Sequence, residues 1–444
     1  MFRNCSFDRT RTLQIQRIIE MAITINRKKI QISLLYLLIL CRYLLPYFFM
    51  DNTEGIISRF PIVDYSLLAV STLLMVTQLV FGGFRLSRTD LFVILVYAFL
   101  VLSTILNHGE ILSCLINAVQ VILICFVLKD ALRDETKKWV LIRLIRNITL
   151  VIFIANIIAT FLFPSGVPYS IKHEDPPYFL YGNVNTTIKF LFPGLLCSFI
   201  LDIKRHKTVS ISTGVFYVGY LYLCFHIYLM ATGFCAMLFV LLWKLNRQII
   251  TKNIRLICTV VISVIILFEL SILVFTNQGL INSVLSLFGK APGFTGRDYL
   301  WHNCIRCIKE RIVIGHGIIP SSRLEAMVGN PSGSHNYYLD LLFQRGVIGF
   351  VPFLLFIIVP IFKPGQRTYS KEHYILSGFA IAYLIMFMFE PFYAVERFHI
   401  PVFYVLNLLT ERVPSITPGR IGGRISPEPA PADAFCGKSV MAGD

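Results

Sequence analysis

The feature that most constrains this chain is a series of long apolar stretches interrupted by one long polar loop. Hydrophobic residues make up 56% of its 444 residues and charged residues only 15%, whereas soluble domains carry about 25% charged residues. Runs close to the roughly 20 residues that cross a bilayer recur along almost the whole length. The sequence therefore predicts an all-α polytopic integral membrane protein.

Twelve spans are predicted, or eleven if residues 209–243 form one long helix rather than two short ones broken at Ala231-Thr232-Gly233. The spans are residues 31–50, 62–81, 91–106, 111–128, 147–163, 186–203, 209–229, 232–243, 256–275, 347–362, 374–389 and 398–410. The predicted organisation is a basic N-terminal tail (1–30), a first bundle of about nine spans (31–275), a long external loop (276–346), three last spans (347–410) and a C-terminal tail (411–444). Residues 1–30 show no signal-peptide pattern, and Met21 is an alternative start. The C-terminal tail is expected to be disordered.

The net charge of +16 is explained by topology rather than by nucleic-acid binding. With the N-terminus in the cytoplasm, 29 Lys and Arg residues fall on the cytoplasmic side and three in the short external loops. Because basic residues concentrate in short cytoplasmic loops, this ratio predicts an N-in/C-in protein. No basic stretch alternates with exposed aromatic residues, so no nucleic-acid partner is expected.

The long loop carries three polar motifs. The first, TGRDYLWHN, runs from Thr295 to Asn303 and opens with a capping box formed by Thr295 and Asp298. The predicted helix extends to about Arg311 and places Arg297 and Trp301 on one face. Helix N–H groups beside a guanidinium can bind a phosphate, although a solvated Arg with an interfacial Trp fits the sequence equally well.

The second and third motifs are IGHG and SHNYYLDLLFQRGVIG. Gly315 and Gly317 predict a tight turn in which the backbone approaches another group closely, and His316 is interpreted as a residue of that turn. His335 and Asn336 precede the next span, near the membrane surface. A neutral imidazole there could take a proton from a sugar hydroxyl, or His335 could simply cap the helix.

Charged and amide groups also lie in or beside the predicted spans. Lys189 stands one turn into its span, where a cation costs about 2.5–3.5 kcal/mol at the helix centre and is a functional candidate unless it snorkels to the interface. Asn183 and Asn185 flank the start of that span. Glu390 and Glu396 mark the short turn between the last two spans, and either is an alternative base.

Neither a metal nor a cofactor is expected from the sequence. Cys304 and Cys307 form a lone CxxC without a second pair, and we interpret them as helix-face residues. The sequence has no acidic pair typical of a metal site, and no P-loop, GxGxxG, HExxH or GxSxG motif. The predicted cytoplasmic loops are too short to hold a nucleotide-binding domain.

The order and placement of these motifs resemble those of the bacterial O-antigen polymerase (Wzy)/O-antigen ligase family. The resemblance covers the hydropathy plan and, more specifically, residues from about Thr295 to Gly349. The matching positions are Thr295-Gly296-Arg297 with Trp301, Gly315-x-Gly317, His335-Asn336, Gly346-x-x-Gly349 and the YGNVN segment from Tyr181 to Asn185.

The resemblance implies a metal-independent glycosyltransferase of the bacterial cytoplasmic membrane. Its substrate would be a polyprenyl-pyrophosphate-linked oligosaccharide, its acceptor a lipid-linked repeat unit at the outer face, and its partners a flippase and a chain-length regulator. Arg297 is then expected to stabilise the leaving pyrophosphate and His335 to act as base or to position the acceptor. The implied substrate-binding residues are Trp301, Asn336, Arg345, Lys189, Asn183, Asn185, Gly315 and Gly317.

Two departures from the family pattern bear on this assignment. Many members have a Ser-Arg pair where this chain reads Ala231-Thr232-Gly233-Phe234-Cys235, and an acidic residue where it reads Gln344-Arg345. Arg345 or Lys189 is the candidate for the missing positive charge.

Two alternative functions remain open from the sequence. A ligase that transfers finished glycan to another acceptor would use the same donor and the same loop. A lipid-linked oligosaccharide flippase or ion-coupled transporter belongs to another class, in which internal repeats and midplane sites are common. No internal repeat is evident here, and the polar residues gather in an external loop.

Overall fold

The computed structural model describes residues 27–44, 46, 61–83, 85–167, 179–182, 186–226, 231–274, 297–362 and 371–411. Over these ranges the chain is helical, apart from turns and an isolated bridge between Phe179 and Gly182. The helices are α1 (27–44), α2 (Pro61–Phe81), α3 (Arg88–Leu106), α4 (Ile111–Ala131), α5 (Glu135–Leu162), α6 (Thr187–Lys204), α7 (Ile211–His226), α8 (Ala231–Leu245), α9 (Arg247–Val274), α10 (Arg297–Glu310), α11 (Ser321–Val328), α12 (Tyr337–Phe362), α13 (Lys371–Phe387) and α14 (Glu396–Glu411).

Within the described ranges, five helical segments are long and apolar enough to cross a membrane. They are Arg88–Leu106, Ile111–Ala131, Glu135–Leu162, Lys252–Ile272 and Tyr337–Phe362. This all-helical architecture fits a polytopic membrane protein. A helix coincides with each of the twelve predicted spans, but the number of crossings and the N-in/C-in orientation stay predictions.

Of the two alternatives for residues 209–243, the structure has two helices, but Ala231-Thr232-Gly233 form the first turn of α8 rather than the break. Helices α7 and α8 are separate elements, and the four residues between them lie outside the described ranges. Gly233 lies where α8 meets α7, and a Cβ atom at this position would lie 1.8 Å from the Tyr220 hydroxyl oxygen. The glycine therefore permits close packing of α7 and α8 rather than a bend.

Helix α12 begins ten residues before the predicted span start at 347 and is interrupted at Gly346, whose φ is 57° and ψ −174°. The predicted start was too late because the polar pair Gln344-Arg345 looked like part of the external loop. In the structure both side chains are buried and both residues belong to the helix. Non-helical backbone at membrane depth is tolerated where protein satisfies its polar groups. Four backbone hydrogen bonds do so: His316 and Gly317 donate to the carbonyls of Phe343 and Gln344 (2.7 and 2.9 Å), and Val347 and Ile348 donate to those of Ile312 and Val313 (2.9 and 3.2 Å).

Helix α13 is the central element of the bundle. Its side chains are buried on all faces, which is typical of a helix that is apolar all round and surrounded by others. It packs against α6, α8, α9 and α12. Because α13 is central, the turn that follows it, from Met388 to Phe392, is enclosed by several helices and positions the candidate site.

Candidate active site at the turn after the central helix

Two cations from distant parts of the sequence meet at the turn that follows α13. The Lys189 Nζ atom of α6 lies 3.5 Å from Oε2 of Glu390, and the Arg297 Nη2 atom at the start of α10 lies 3.8 Å from Oε1 of the same carboxylate. The side chains of Lys189 and Glu390 are 4% and 5% exposed, whereas that of Arg297 is 21% exposed. The three groups form a cluster with a net charge of +1.

Backbone carbonyls of the same turn hold both cations more tightly than the carboxylate does. Arg297 Nη1 donates to the Phe389 carbonyl at 2.7 Å, and Lys189 Nζ donates to the Pro391 carbonyl at 2.6 Å. The Lys189 ammonium also lies 5.0 Å from the centre of the Phe392 ring, a cation–π arrangement. Neutral groups therefore fix the positions of the two cations and leave much of their charge uncompensated.

His335 is the third predicted residue beside this cluster. Its backbone φ of 57° is unusual for a residue with a side chain, and such strain is often found at functional sites. Its Nδ1 atom is buried and has no hydrogen-bond partner among the described residues. Burial, followed by the charges of Arg297 and Lys189, lowers the pKa of His335 to about 4, so the imidazole is neutral near pH 7.

A hydrogen-bonded frame holds the backbone on both sides of His335. The Asn336 side-chain oxygen accepts from the N–H groups of Tyr338 (2.9 Å) and Leu339 (3.1 Å), so Asn336 is the N-cap of α12. The Asp340 Oδ1 atom accepts from both the backbone N–H and the hydroxyl of Ser334, at 2.8 and 2.7 Å. Asn336 thus has a capping role in this structure, and its contact with substrate stays a prediction.

The same Asn336 amide contacts a half-buried carboxylate in a candidate membrane span. Its Nδ2 atom lies 3.0 and 2.9 Å from the two carboxylate oxygens of Glu269 on α9. Glu269 also lines a cavity of about 350 Å³ between α9, α12 and α13. The rest of the cavity wall is mainly aliphatic and aromatic: Ile262, Ile265, Ile266, Leu270, Tyr338, Leu339, Leu342, Phe350, Leu354, Ile358 and Leu384.

The IGHG turn supports the break in α12. Gly315 and Gly317 have φ values of 78° and 70°, and a Cβ atom would lie 2.4 Å from the Gly346 nitrogen or from the Thr104 Cα, respectively. The predicted close backbone approach is therefore present. His316 stacks on Phe343, accompanied by a contact of its Nε2 with the Cys307 carbonyl at 2.9 Å, and burial lowers its pKa.

Two other predicted site residues lie in packed interiors. Trp301 is 2% exposed and meets the Phe268 ring edge-on at a centroid distance of 6.3 Å. Arg345 donates from Nη2 to Glu396 at 2.5 Å and is 1% exposed. Trp301 packs against Phe268, so sugar stacking by this residue stays a prediction. Arg345 is paired with Glu396, so anion binding by this residue also stays a prediction.

Some predicted positions lie outside the described residues: Asn183, Asn185, Thr295, Gly296 and most of both tails (1–26 and 412–444). Helix α10 is described from Arg297 to Glu310, close to its predicted end, and it carries Cys304 and Cys307 on its buried side. The structure thus brings together Arg297, Lys189 and His335 from the predicted set.

The sequence analysis did not predict the contacts of Glu390 with Lys189 and Arg297, or that of Glu269 with Asn336. Glu390 was singled out only as an alternative base, and Glu269 was not singled out. The available signal was the occurrence of isolated acids and a lone Lys189 in apolar segments, since such groups are expensive there unless they pair with one another. No sequence pattern indicates which acid pairs with which cation.

Residues 226–354 match the sequence model of a family described as O-antigen ligase. An uncharacterized protein of Haemophilus influenzae is 26% identical over 102 residues, which cover 20% of this chain. The match spans about a quarter of that relative's length (26%). No solved structure matches the chain. Arg297, Gly315, Gly317, His335 and Arg345 all fall within the matched segment, so the similarity to the O-antigen ligase family covers the same loop motifs that resemble it in the sequence.

Proposed function

We propose that the protein is a membrane glycosyltransferase that polymerises polysaccharide repeat units. The donor is a glycan on polyprenyl pyrophosphate, and the acceptor is a hydroxyl of another lipid-linked repeat unit at the outer face of the bacterial cytoplasmic membrane. The observation that carries this proposal is the convergence of Arg297 and Lys189 on one turn, beside the neutral imidazole of His335. The family match over residues 226–354 supports the same class of reaction.

The proposed reaction needs one proton acceptor and one site for a developing polyanion. The acceptor hydroxyl attacks the anomeric carbon, its proton passes to His335, and the bond from that carbon to the pyrophosphate oxygen breaks. Arg297 and Lys189 offset the negative charge that grows on the leaving pyrophosphate. Cations fixed in advance by the Phe389 and Pro391 carbonyls stabilise such charge without having to reorganise.

The apolar cavity between α9, α12 and α13 offers a surface for the polyprenyl chain. Its wall contains Glu269, which contacts Asn336, the neighbour of His335 in the sequence. A chain lying in this cavity would approach the level of the cationic cluster from inside the bilayer. Apolar contact of this kind contributes roughly 25 cal/mol per Å² of buried surface.

Ligase-type transfer of finished glycan is the second candidate, and the description of the matching family favours it. The donor, the leaving group and the roles of Arg297 and His335 are the same in both reactions. Only the acceptor differs between them.

The deciding experiment is the glycan profile of a deletion strain, with lipid-linked material separated from surface-attached material. Single repeat units and loss of long chains indicate a polymerase, whereas long chains that stay on the polyprenyl carrier indicate a ligase. Complementation with Arg297→Ala or His335→Ala is expected to leave the deletion profile unchanged at normal protein levels. Full-length polymer with both variants would refute the assigned site.

A further inference from the structure

Glu390 has a position that the proposed reaction does not explain. One carboxylate oxygen faces Lys189 at 3.5 Å and the other faces Arg297 at 3.8 Å. Charge-assisted hydrogen bonds of this type are normally about 2.7–2.9 Å long. The carboxylate therefore bridges both cations without a close hydrogen bond to either one.

The cations do not depend on Glu390 for their placement. Each donates a short hydrogen bond to a carbonyl next to Glu390 in the sequence, that of Phe389 or Pro391. A guanidinium has five N–H donors and an ammonium has three. Among the residues that the structure describes, each cation has this one hydrogen bond and the longer contact with Glu390, and Lys189 also faces the Phe392 ring. Arg297 therefore has donors left for another anion, and Lys189 gains one when Glu390 withdraws.

We propose that Glu390 competes with the pyrophosphate group of the substrate for Lys189 and Arg297. Its carboxylate bridges the two cations and gives them up when a pyrophosphate oxygen binds between them. This inference rests on the proposed function and adds to it a role for Glu390 as an acid that competes with the substrate and is not a base. The ligand class is a pyrophosphate monoester or diester.

A carboxylate that competes in this way affects the rate of product release more than the rate of glycosyl transfer. After transfer, the polyprenyl pyrophosphate product carries one more negative charge than the donor had and binds the two cations more tightly. Return of the Glu390 carboxylate offsets that gain and speeds product release. A Gln at this position has a similar shape but no charge, so it cannot compete.

The test is pyrophosphate binding to the full-length protein in nanodiscs, measured by calorimetry. The variants are Glu390→Gln, Glu390→Asp and Lys189→Met, and the control is Glu325→Gln, an exposed acid on α11. We expect Glu390→Gln to lower the Kd for inorganic pyrophosphate at least tenfold, Lys189→Met to raise it, and Glu325→Gln to leave it unchanged. With the lipid-linked substrate, Glu390→Gln should lower both KM and kcat.

An unchanged or higher Kd for Glu390→Gln would overturn the inference. If that variant does not fold, Glu390→Asp serves instead, because its shorter side chain weakens the bridge and should lower the Kd by a smaller factor; an unchanged Kd would again overturn it. The failure of the inference differs from that of the proposed function. In the first case Arg297→Ala still abolishes long glycan chains in cells, and in the second case it does not.

Discussion

Two carboxylates six residues apart, Glu390 and Glu396, differ in how they meet their cations. Glu396 accepts hydrogen bonds of 2.5 Å from Arg345 and 2.6 Å from each of Tyr97 and Tyr337. The Glu390 carboxylate, among the residues that the structure describes, has contacts of 3.5 and 3.8 Å with Lys189 and Arg297 and no shorter one to a cation.

The difference indicates which charge cluster maintains the fold and which can bind a ligand. The Glu396 cluster ties α3, α12 and α14 together, and the guanidinium of Arg345 also faces the rings of Tyr97 and Phe353 at 5.4 and 5.0 Å. Removing one partner of a buried ion pair typically costs 3–5 kcal/mol because the other charge remains uncompensated. The Glu390 cluster is partly open at Arg297, and its cations have other, neutral partners.

The largest expected effect comes from Glu396→Gln. Its loss leaves Arg345 buried without a full counter-charge and should lower the free energy of unfolding by about 3–5 kcal/mol. The measurement is SDS-induced unfolding of the purified protein in mixed micelles. Glu390→Gln is the matched control and should cost less, and equal losses for the two variants would contradict the distinction between the clusters.

Gly346→Ala tests the backbone that positions Arg345. At a φ of 57° the new Cβ atom would lie 2.3 Å from the Val313 carbonyl oxygen, so the loss should exceed the roughly 1–3 kcal/mol of backbone strain alone. Gly83→Ala is the control, because its φ is 60° and nothing lies within 4 Å of the added atom. The same unfolding assay measures both, and similar losses would show that the loop around Val313 yields easily.

The sequence predicted the fold at the level of helices and the site at the level of single residues. Apolar runs locate helices because a membrane-spanning backbone must satisfy its own hydrogen bonds. The start of α12 was misplaced because Arg345 looks exposed in the sequence, and only its pairing with Glu396 permits burial. Such pairings join residues as distant as Tyr97 and Glu396, so no local pattern encodes them.

For the site, too, single residues were predictable from local patterns, whereas their contacts were not. Arg297 and His335 were predicted from motifs within one loop, and Lys189 was predicted as an isolated cation in an apolar helix. What could not be predicted is that the turn around Glu390 gathers these groups, since that depends on how α6, α10 and α13 pack. The sequence predicted that the backbone at Gly315 and Gly317 approaches another group closely, but not that these groups are Gly346 and Thr104.

Asn336→Ala should have a moderate effect on the frame beside His335. Loss of an N-cap costs about 1 kcal/mol, and Glu269 also loses its amide partner. Asn336→Ser separates the two contributions, because a serine can cap α12 but is too short to reach Glu269 in the same way. Thermal unfolding in nanodiscs measures both variants. Equal stability of the Ala and Ser variants would mean that the cap contributes little.

The smallest expected effect is a shift in the pH dependence of the reaction. Because the neutral imidazole of His335 is the proposed proton acceptor, the rate should fall as pH decreases through its pKa of about 4. Burial is the main cause of this low pKa, followed by Arg297 and then Lys189. Lys189→Met removes the last of these, so the pKa should rise and the acid limb of the initial rate should move toward neutral pH.

The low pKa of His335 also makes the stability of the protein depend on pH. Folding disfavours the protonation of His335, so the free energy of unfolding should fall as pH decreases from about 6.5 to 4. His335→Gln should remove that part of the pH dependence.

For the pH dependence of the rate, Lys309→Met on the exposed side of α10 is the control and should leave the acid limb in place. An acid limb that stays fixed in Lys189→Met would mean that Lys189 does not act on the imidazole, and a limb that moves to lower pH would contradict the charge arrangement itself.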